Sequence, residues 1–289
     1  MCTAIVSVEP GAPLLLAGIR DELVDRAWQP PAEHWPDYPG ILGGRDLLAG
    51  GTWLAVDPPA RRAACVLNGR GRPAAPDARR SRGVLPLQAA AGGRPGPGGL
   101  ASFDPFHLLT VTPSAATLDS WDGEQHTERE LGPGLHMIVN SGLAGSPGVV
   151  AGREAGPAAG RGAVAGQGAA AGRGVAARSA AGRDLEVARI AHFLPRLTAA
   201  ERPGPRPGAP APLAWGAWLP LLNGDGLDPA DPRSLIVRRD LGDGRIWGTT
   251  SISLVALSAR GVRYDFTGTP GDPRAWDPVP DSSHAPESS

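Results

Sequence analysis

The chain has 289 residues, a formal net charge of −1 and a pI near 6.6, so we expect no large basic surface for nucleic acid or acidic membranes. All 28 basic residues are arginine, which excludes a Schiff-base lysine, a P-loop lysine and attachment of pyridoxal phosphate. The two cysteines, Cys2 and Cys65, provide no disulfide framework and fit a reducing compartment. No apolar run approaches the ~20 residues that span a bilayer, so we predict a cytoplasmic protein without a transmembrane segment.

Apolar segments separated by turn residues predict β-hairpins in the first part of the chain. Cys2–Val8 and Pro13–Gly18 form one pair, and Thr52–Val56 and Ala63–Leu67 form another. The segment Val84–Ala91 is predicted to be a helix, because two glycines follow it as a stop signal. Two further predicted strands are Phe106–Thr112 and Leu135–Asn140.

The second half of the chain alternates between segments of low complexity and regular elements. In residues 151–182, 22 are Ala or Gly, and so little apolar surface cannot offset the ordering entropy. We therefore predict a flexible insertion there, a Pro-rich linker at 203–212 and a disordered tail at 277–289. A helix is predicted over Asp184–Leu197. The predicted strands are Leu235–Arg238, Arg245–Thr250, Ser253–Leu257 and Arg263–Phe266.

Antiparallel hairpins at both ends, with helical segments between them, predict an α+β protein with one domain over residues 1–276. Early and late hairpins can combine into two packed, mainly antiparallel sheets flanked by helices. Periodicity alone does not select this four-layer arrangement from the other α+β architectures.

Cys2 is the first candidate for chemistry, because it directly follows the initiator Met. A small side chain at position two permits removal of Met1, which would give one residue both a thiol and a free α-amine. An α-amine ordinarily titrates near ~7.7–8.0 and a cysteine thiol near ~8.5, so the amine is matched to take the thiol proton. This is the chemistry of an N-terminal nucleophile hydrolase. Residue two is often small for other reasons, so Cys2 alone is weak evidence.

The run Gly18–Glu22 ends the second predicted strand, and hairpin pairing would bring it close to Cys2. A guanidinium near a thiol favours the thiolate, and a carboxylate there can orient an amine. An Arg–Asp pair that fixes the end of a strand is the structural alternative for Arg20 and Asp21.

Three motifs in order resemble the NRDE family, which includes the transport and Golgi organisation protein 2 of eukaryotes. They are Leu16–Glu22 (LAGIRDE), Gly43–Asp46 (GGRD) and Ala49–Val56 (AGGTWLAV). Further similarities are Ser81-Arg82-Gly83, the Leu135–Asn140 stretch, and Ser234–Leu257 with its Trp-Gly-Thr.

The chain departs from the family pattern at several positions. Ile19 stands where the family has its name-giving Asn, and we expect this change to remove a polar group next to the site. His107 replaces an Asn, and Thr250 replaces an Arg that commonly follows Gly-Thr. The Trp-Pro-Lys-like segment expected after Asn140 is replaced by residues 145–148.

The family in turn resembles N-terminal-nucleophile amidohydrolases, which have a four-layer αββα fold and cleave small amides at linear C–N bonds. By that resemblance Cys2 attacks the amide carbonyl, and its own α-amine carries the proton. Arg20 would stabilise the thiolate, and Asp21 would hold the ammonium. Asn68 and Asn140, each at the end of a strand, would donate hydrogen bonds to the oxyanion. Asn68 precedes Gly69 and fits a turn position equally well, whereas Asn140, which precedes Ser141 and Gly142, fits a structural turn position better.

A binding function on the same scaffold is the alternative, because eukaryotic relatives have been linked to haem mobilisation. The chain would then be a carrier or trafficking protein for haem or an acyl lipid. The adjacent pair His136 and Met137 would point to opposite faces of a strand, so both cannot ligate one face of the iron; Cys2 and His107 are no worse as ligands. The six histidines lack zinc-site spacing, so we expect no metal and no cofactor.

Overall fold

The computed structural model describes residues 2–94, 96–146, 169–206 and 208–280. Two antiparallel β-sheets pack face to face, and helices cover the outer face of each sheet. Apolar side chains from both sheets fill the space between them, because each strand turns alternate residues to its two faces. No helix among the described residues is long and apolar enough to span a membrane.

The first sheet has eight strands and contains the first and the last strand of the described residues. Its path runs β11-β10-β1-β2-β13-β14-β15, and β12 pairs with β13. The strands are β1 (Thr3–Val8), β2 (Leu14–Leu23), β10 (Gly134–Val139), β11 (Gly142–Leu143), β12 (Arg238–Asp240), β13 (Ile246–Ser258), β14 (Gly261–Thr267) and β15 (Asp277–Pro278).

The second sheet has seven strands, which follow one another in chain order from β3 to β9. Each strand pairs with the next, so the sheet is a meander. The strands are β3 (Trp28–Glu33), β4 (Leu42–Asp46), β5 (Leu54–Asp57), β6 (Arg62–Asn68), β7 (Phe106–Val111), β8 (Ala116–Trp121) and β9 (His126–Glu130).

Strand β1 shows how alternation divides the molecule into layers. Ala4 and Val6 belong to the core between the sheets, whereas Ile5 belongs to the core under the helices. The same alternation continues along β2, where Leu16 faces the other sheet and Leu15 faces the helices. This two-residue period decides which side chains can reach a site between the sheets.

The helices form the two outer layers. Helix α1 (Leu85–Ala90) packs on the second sheet. Helices α2 (Ala169–Ala199), α3 (Ala211–Trp215) and α4 (Trp218–Leu222) cover the first sheet, with Trp215 and Phe193 fully buried against it. The order is therefore helix, sheet, sheet, helix, and the predicted four-layer α+β fold is confirmed.

Several boundaries differ from the sequence prediction. One strand, β13, replaces the two strands predicted over Arg245–Thr250 and Ser253–Leu257. Helix α2 begins at Ala169, inside the predicted flexible insertion, and residues 147–168 lie outside the described residues. Strand β15 pairs with β14 inside the predicted tail, and residues 281–289 also lie outside the described residues.

We expect Gly51→Ala to destabilise the fold, because a Cβ at this position would lie 2.5 Å from the backbone of Gly83. The two backbones must separate, which breaks the hydrogen bond from Thr52 N to Gly83 O. Overpacking of this kind lowers the free energy of unfolding by about 1–3 kcal/mol. Urea denaturation measures the change. The control is Gly204→Ala, where a Cβ meets open space, and equal stability of the two variants would contradict the prediction.

Candidate active site

Cys2 lies immediately before β1, between strands β2 and β10. Thr3 pairs with Ile19 on one side and with Val139 on the other. Continuing both registers by one residue places Cys2 opposite Arg20 and opposite Asn140. Cys2 also shares the strand face of Ala4, so its side chain belongs to the side between the two sheets.

A pocket of about 410 Å³ opens at Cys2. Its walls are the end of β2, the segment 46–53, the end of β6 and the loop 79–83. These segments come from both sheets, and the contact between the Gly51 and Gly83 backbones holds the loop against the wall. The pocket is therefore built at one end of the layer between the sheets.

The polar contacts of Cys2 hold its backbone nitrogen and leave its thiol weakly bonded. The nitrogen donates to Oδ1 of Asn140 at 2.8 Å. The thiol Sγ lies 3.8 Å from the carbonyl oxygen of Asp21. The nitrogen that would become the α-amine after loss of Met1 is thus already oriented by a side-chain amide.

Arg20 is buried in the pocket wall, at 4 % exposure. Its guanidinium contacts a hydroxyl, a carboxylate and an aromatic ring. Nη1 donates to Oγ1 of Thr250 at 2.8 Å, and Nη2 lies 3.3 Å from Oδ2 of Asp46. The guanidinium carbon stacks 4.5 Å from the ring centroid of Trp53. Burial lowers the pKa of Arg20, while the charges of Glu22, Cys2 and Asp46 oppose that effect. Arg20 therefore places a fixed positive charge within reach of the thiol.

Thr250 reaches Arg20 because β13 has a β-bulge. The register of β13 with β2 shifts between Thr249 and Ser251, so Thr250 is the extra residue. A bulge re-aims the side chain that it displaces. The Thr found here in place of the family Arg is thus a direct hydrogen-bond partner of the pocket's arginine.

Asp46 anchors the cationic side of the pocket. It accepts hydrogen bonds from Nε and Nη2 of Arg26 at 2.6 and 3.1 Å, and from the N–H groups of Leu48 and Ala49 at 3.0 and 2.8 Å. Burial by itself would raise the pKa of Asp46, but the bonds from Arg26 and Ala49 outweigh it, and the pKa lies below its usual 3.8. Asp46 is therefore ionised and fixes both arginines.

The carboxylate of Asp21 does not point toward Cys2. It is on the helix-facing side of β2, at 2 % exposure, where it accepts from Thr249 Oγ1 at 2.7 Å and from Arg189 Nη1 at 3.2 Å. Arg189 comes from α2 and also donates to Oγ1 of Thr3 at 2.7 Å. Only the backbone oxygen of Asp21 meets the thiol, so its predicted role as holder of the ammonium does not fit this geometry.

The two predicted oxyanion donors have different surroundings. Asn68 is exposed at the end of β6 and lines the pocket with Cys2. The following Gly69 is packed against the backbone of Phe106, so the Asn-Gly pair lies where two segments of the backbone approach closely. Asn140 uses its amide oxygen to hold the Cys2 nitrogen, which is a different role from the one predicted.

His107 supports Asn140 from the second sheet. Its Nε2 lies 3.3 Å from the Asn140 carbonyl oxygen and its Nδ1 lies 2.8 Å from Oγ of Ser120. Burial lowers the pKa of His107, although the contact with Asn140 opposes this, so the imidazole is neutral at neutral pH. The departure from the family Asn at this position therefore keeps a hydrogen-bonding side chain beside the site.

Ile19 lies on the opposite face of β2 from the pocket. It is 2 % exposed and belongs to the core between the first sheet and the helices. The expectation that Ile19 removes a polar group next to the site is therefore wrong, because strand alternation turns position 19 to the opposite face from Arg20.

Three further residues line the pocket and were not predicted from the sequence: Glu22, Asp46 and Arg82. Alternation along β2 gives a signal for Glu22, because it lies two residues from Arg20 and faces the same side. Asp46 and Arg82 are brought in by tertiary packing, and their only signal is their place in the GGRD and Ser-Arg-Gly motifs.

Cys65 differs from Cys2 in its surroundings. It is buried in the core between the sheets, and burial raises the pKa of its thiol well above the usual range. Cys65 is therefore a packing residue in the folded protein, and Cys2 is the thiol that can react.

A family model described as Transport and Golgi organisation 2 matches residues 1–155. No curated protein matches the chain. One similar solved structure is the Caenorhabditis elegans ortholog of N-acylethanolamine-hydrolyzing acid amidase, with a TM-score of 0.34 and 12 % identity over 48 % of this chain and 70 % of that chain.

We expect Asp46→Asn to lower the free energy of unfolding by about 2 kcal/mol at neutral pH, since hydrogen bonds to a charged group are lost. The folded pKa of Asp46 is depressed, so its contribution is complete above about pH 5, where the unfolded carboxyl is ionised too, and is lost as the pH falls through the folded value. The difference from wild type should therefore shrink between about pH 5 and pH 3. Urea denaturation across this range measures it.

The control for this measurement is Asp77→Asn, at an exposed turn position. It should change the free energy of unfolding by less than about 0.5 kcal/mol at every pH. An Asp46→Asn deficit that is equally large at both ends of the pH range would contradict the assignment of a depressed pKa.

Proposed function

The chain belongs to the Transport and Golgi organisation 2 family, and we propose that it is a cysteine hydrolase of the N-terminal-nucleophile type. Its substrate is a small non-peptide amide with a linear C–N bond. Met1 is removed, and Cys2 then serves as nucleophile with its own α-amine as the base.

The observation that carries this proposal is the pair of contacts around Cys2. Its nitrogen is held by the amide oxygen of Asn140, while its thiol opens into a pocket beside the buried guanidinium of Arg20. A nucleophile needs a base fixed in place and a nearby positive charge that stabilises the thiolate. Both groups surround the same residue here.

In the first half of the reaction, the α-amine takes the proton from Sγ and the thiolate attacks the amide carbonyl carbon. A C–S bond forms, and the carbonyl electrons move to oxygen. Asn68 is the side-chain donor at the pocket wall that can stabilise this oxyanion. The C–N bond then breaks, and the ammonium returns its proton to the leaving amine.

In the second half, water hydrolyses the resulting thioester. The α-amine takes a proton from the attacking water, and the new C–O bond replaces the C–S bond. The thiolate leaves and is reprotonated, so Cys2 is regenerated and one water has been consumed. Asn140 keeps the amine nitrogen in one place through both halves.

Asp21 supports the site indirectly. Its carboxylate bonds Arg189 and Thr249, and Arg189 also bonds Thr3, the residue after Cys2. These contacts tie the start of β1 to α2. We assign Asp21 and Arg189 as positioning residues, while Cys2, Arg20, Asn68 and Asn140 face the reaction.

The alternative of a haem or acyl-lipid carrier is not favoured by the pocket. Sites for apolar ligands are lined mainly by hydrophobic and aromatic side chains, whereas this wall is rich in arginine and carboxylate residues. Met137 is fully buried in the core under the helices, and His136 bonds the Gly132 carbonyl. Neither residue is therefore placed to ligate a group in the Cys2 pocket.

We expect the purified protein to begin at Cys2, and iodoacetamide to label this thiol in the native state far faster than Cys65. The partial exposure of Cys2 and the burial of Cys65 give this difference. Intact-mass spectrometry with peptide mapping measures both. Cys65→Ala is the control that should retain full labelling, whereas Cys2→Ser should retain the fold and lose it. If a catalytically active protein retains Met1, the proposal is wrong, because the mechanism needs the free α-amine of Cys2.

We expect Asn68→Ala to lower kcat about 10²–10³-fold with little change in KM, because the lost donor acts only on the transition state. Asn68 is exposed, so the fold should not change. Release of p-nitroaniline from short acyl p-nitroanilides gives the rates. Asn68→Asp is the matched variant, since it keeps the size and loses the donor; full activity in either variant excludes Asn68 as the oxyanion donor.

A further inference from the structure

The loop 79–83 brings three arginines to one wall of the Cys2 pocket, Arg79, Arg80 and Arg82. The loop is fixed to the body of the protein at both ends. The N–H of Arg80 donates to the Ser102 carbonyl at 2.7 Å, and the Gly83 carbonyl accepts from Thr52 N at 2.9 Å. The positive charges of this wall are therefore held in place.

Most arginines of the pocket already have a carboxylate partner. Arg20 and Arg26 share Asp46, and Arg79 pairs with Asp104 at 3.1 Å. The carboxylate of Asp21, whose backbone also lines the pocket, is neutralised on the other face of β2 by Arg189. Glu22 also lines the pocket and lies 3.9 Å from both Arg20 and Arg26, so those two arginines balance its charge. The remaining two arginines, Arg80 and Arg82, have no ion pair among the described residues.

Arg82 is the more buried of these two. Its Nη1 donates to the carbonyl oxygen of Pro105 at 2.8 Å, and no carboxylate among the described residues lies within ion-pair distance. Burial lowers the pKa of Arg82, while the charges of Asp104 and Cys2 oppose that effect. A guanidinium removed from water without a carboxylate carries an uncompensated desolvation cost, which an anionic ligand reduces.

Arg80 lies on the solvent side of Arg82. Its guanidinium carbon is 5.2 Å from the ring centroid of Phe103, which lines a neighbouring pocket, and Arg80 lines both that pocket and the Cys2 pocket. Within the described part of the chain it has no ion-pair partner. Arg80 and Arg82 together form a two-arginine wall beside the nucleophile.

We propose that the substrate of this site carries an anionic group next to its amide, and that Arg82 binds this group with the help of Arg80. The inference rests on the proposed function of Cys2. A guanidinium offers paired donors that match carboxylate and phosphate oxygens alike. The substrate class is therefore an anionic amide, such as an N-acyl amino acid or the phosphate monoester of an N-acyl amino alcohol.

The first experiment compares alkylation of Cys2 by iodoacetate and by iodoacetamide, which differ in charge and deliver similar groups. We take the rate constant for iodoacetate divided by that for iodoacetamide. Because the arginines attract the anionic reagent, this ratio should be about ten-fold higher at native Cys2 than at Cys2 in the urea-unfolded chain, and added salt should reduce it. Arg82→Gln and the rim variant Arg80→Gln should each lower the ratio. Arg72→Gln, at an exposed pair with Glu124, is the matched control and should not change it.

This comparison separates the two proposals. The ratio can be measured on any Cys2 that reacts, whether or not Met1 is removed and whether or not an amide is hydrolysed. A native ratio equal to the unfolded ratio overturns the anionic-substrate proposal and leaves the hydrolase untouched. Absence of turnover with a raised ratio overturns the hydrolase and leaves the anion site.

A second experiment identifies the anion. Native Cys2 is treated with iodoacetamide in the presence of N-acetylglycine, its neutral match N-acetylglycinamide, or the phosphate monoester of N-acetylethanolamine. Protection by N-acetylglycine alone indicates a carboxylate, and protection by the phosphate ester alone indicates a phosphate. In either case Arg82→Gln should abolish the protection, and Arg82→Lys should restore part of it. Equal protection by the neutral amide, or none by either anion, overturns the proposal.

Discussion

The pairing of β1 with β2 on one side and with β10 on the other is the constraint on which the site depends. A strand in the middle of a sheet has both edges bonded, so its register cannot slip by one residue without turning its apolar face outward. Ala4 and Val6 fix that register through the core between the sheets. This register brings Cys2 opposite Arg20 and Asn140, and the hydrogen bond from its nitrogen to Asn140 Oδ1 at 2.8 Å reinforces it.

The two faces of β2 carry two different ionic clusters, and each has its own role. Arg20 faces the pocket and shares Asp46 with Arg26, whereas Asp21 faces the helices and bonds Arg189. Removing one partner of a buried pair such as Asp21–Arg189 typically costs about 3–5 kcal/mol, because a charge remains buried without compensation. The adjacent Arg20 and Asp21 of the IRDE motif therefore serve different parts of the molecule: Arg20 belongs to the pocket, and Asp21 joins β2 to helix α2.

The Cys2–Arg20 proximity could be predicted from sequence, because hairpin pairing is a local signal. Apolar alternation predicted an α+β protein, whereas the four-layer order came from the resemblance to N-terminal-nucleophile amidohydrolases. Strands β3 and β9 were missed because they are the edges of the second sheet, where β3 contains two prolines and β9 is wholly polar. Arg82 and Arg189 reach the site through tertiary packing, which no local pattern encodes. The two-residue period of a strand predicts that Asp21 and Arg20 face opposite sides. The resemblance assigned both residues to the site at Cys2, and so the orientation of Asp21 was missed.

Two arginines near Cys2, Arg20 and Arg82, differ in whether their charge is already paired with a carboxylate. Arg20 is held by Thr250, Asp46 and Trp53, so it can stabilise a thiolate but has little freedom to follow a substrate. Arg82 has no carboxylate partner among the described residues, so its charge acts on whichever anion is near. A substrate anion bound by Arg82 would leave the fixed charge of Arg20 to stabilise the thiolate that forms when the α-amine takes the Sγ proton. In the proposed reaction, one arginine therefore binds the substrate and the other stabilises the nucleophile.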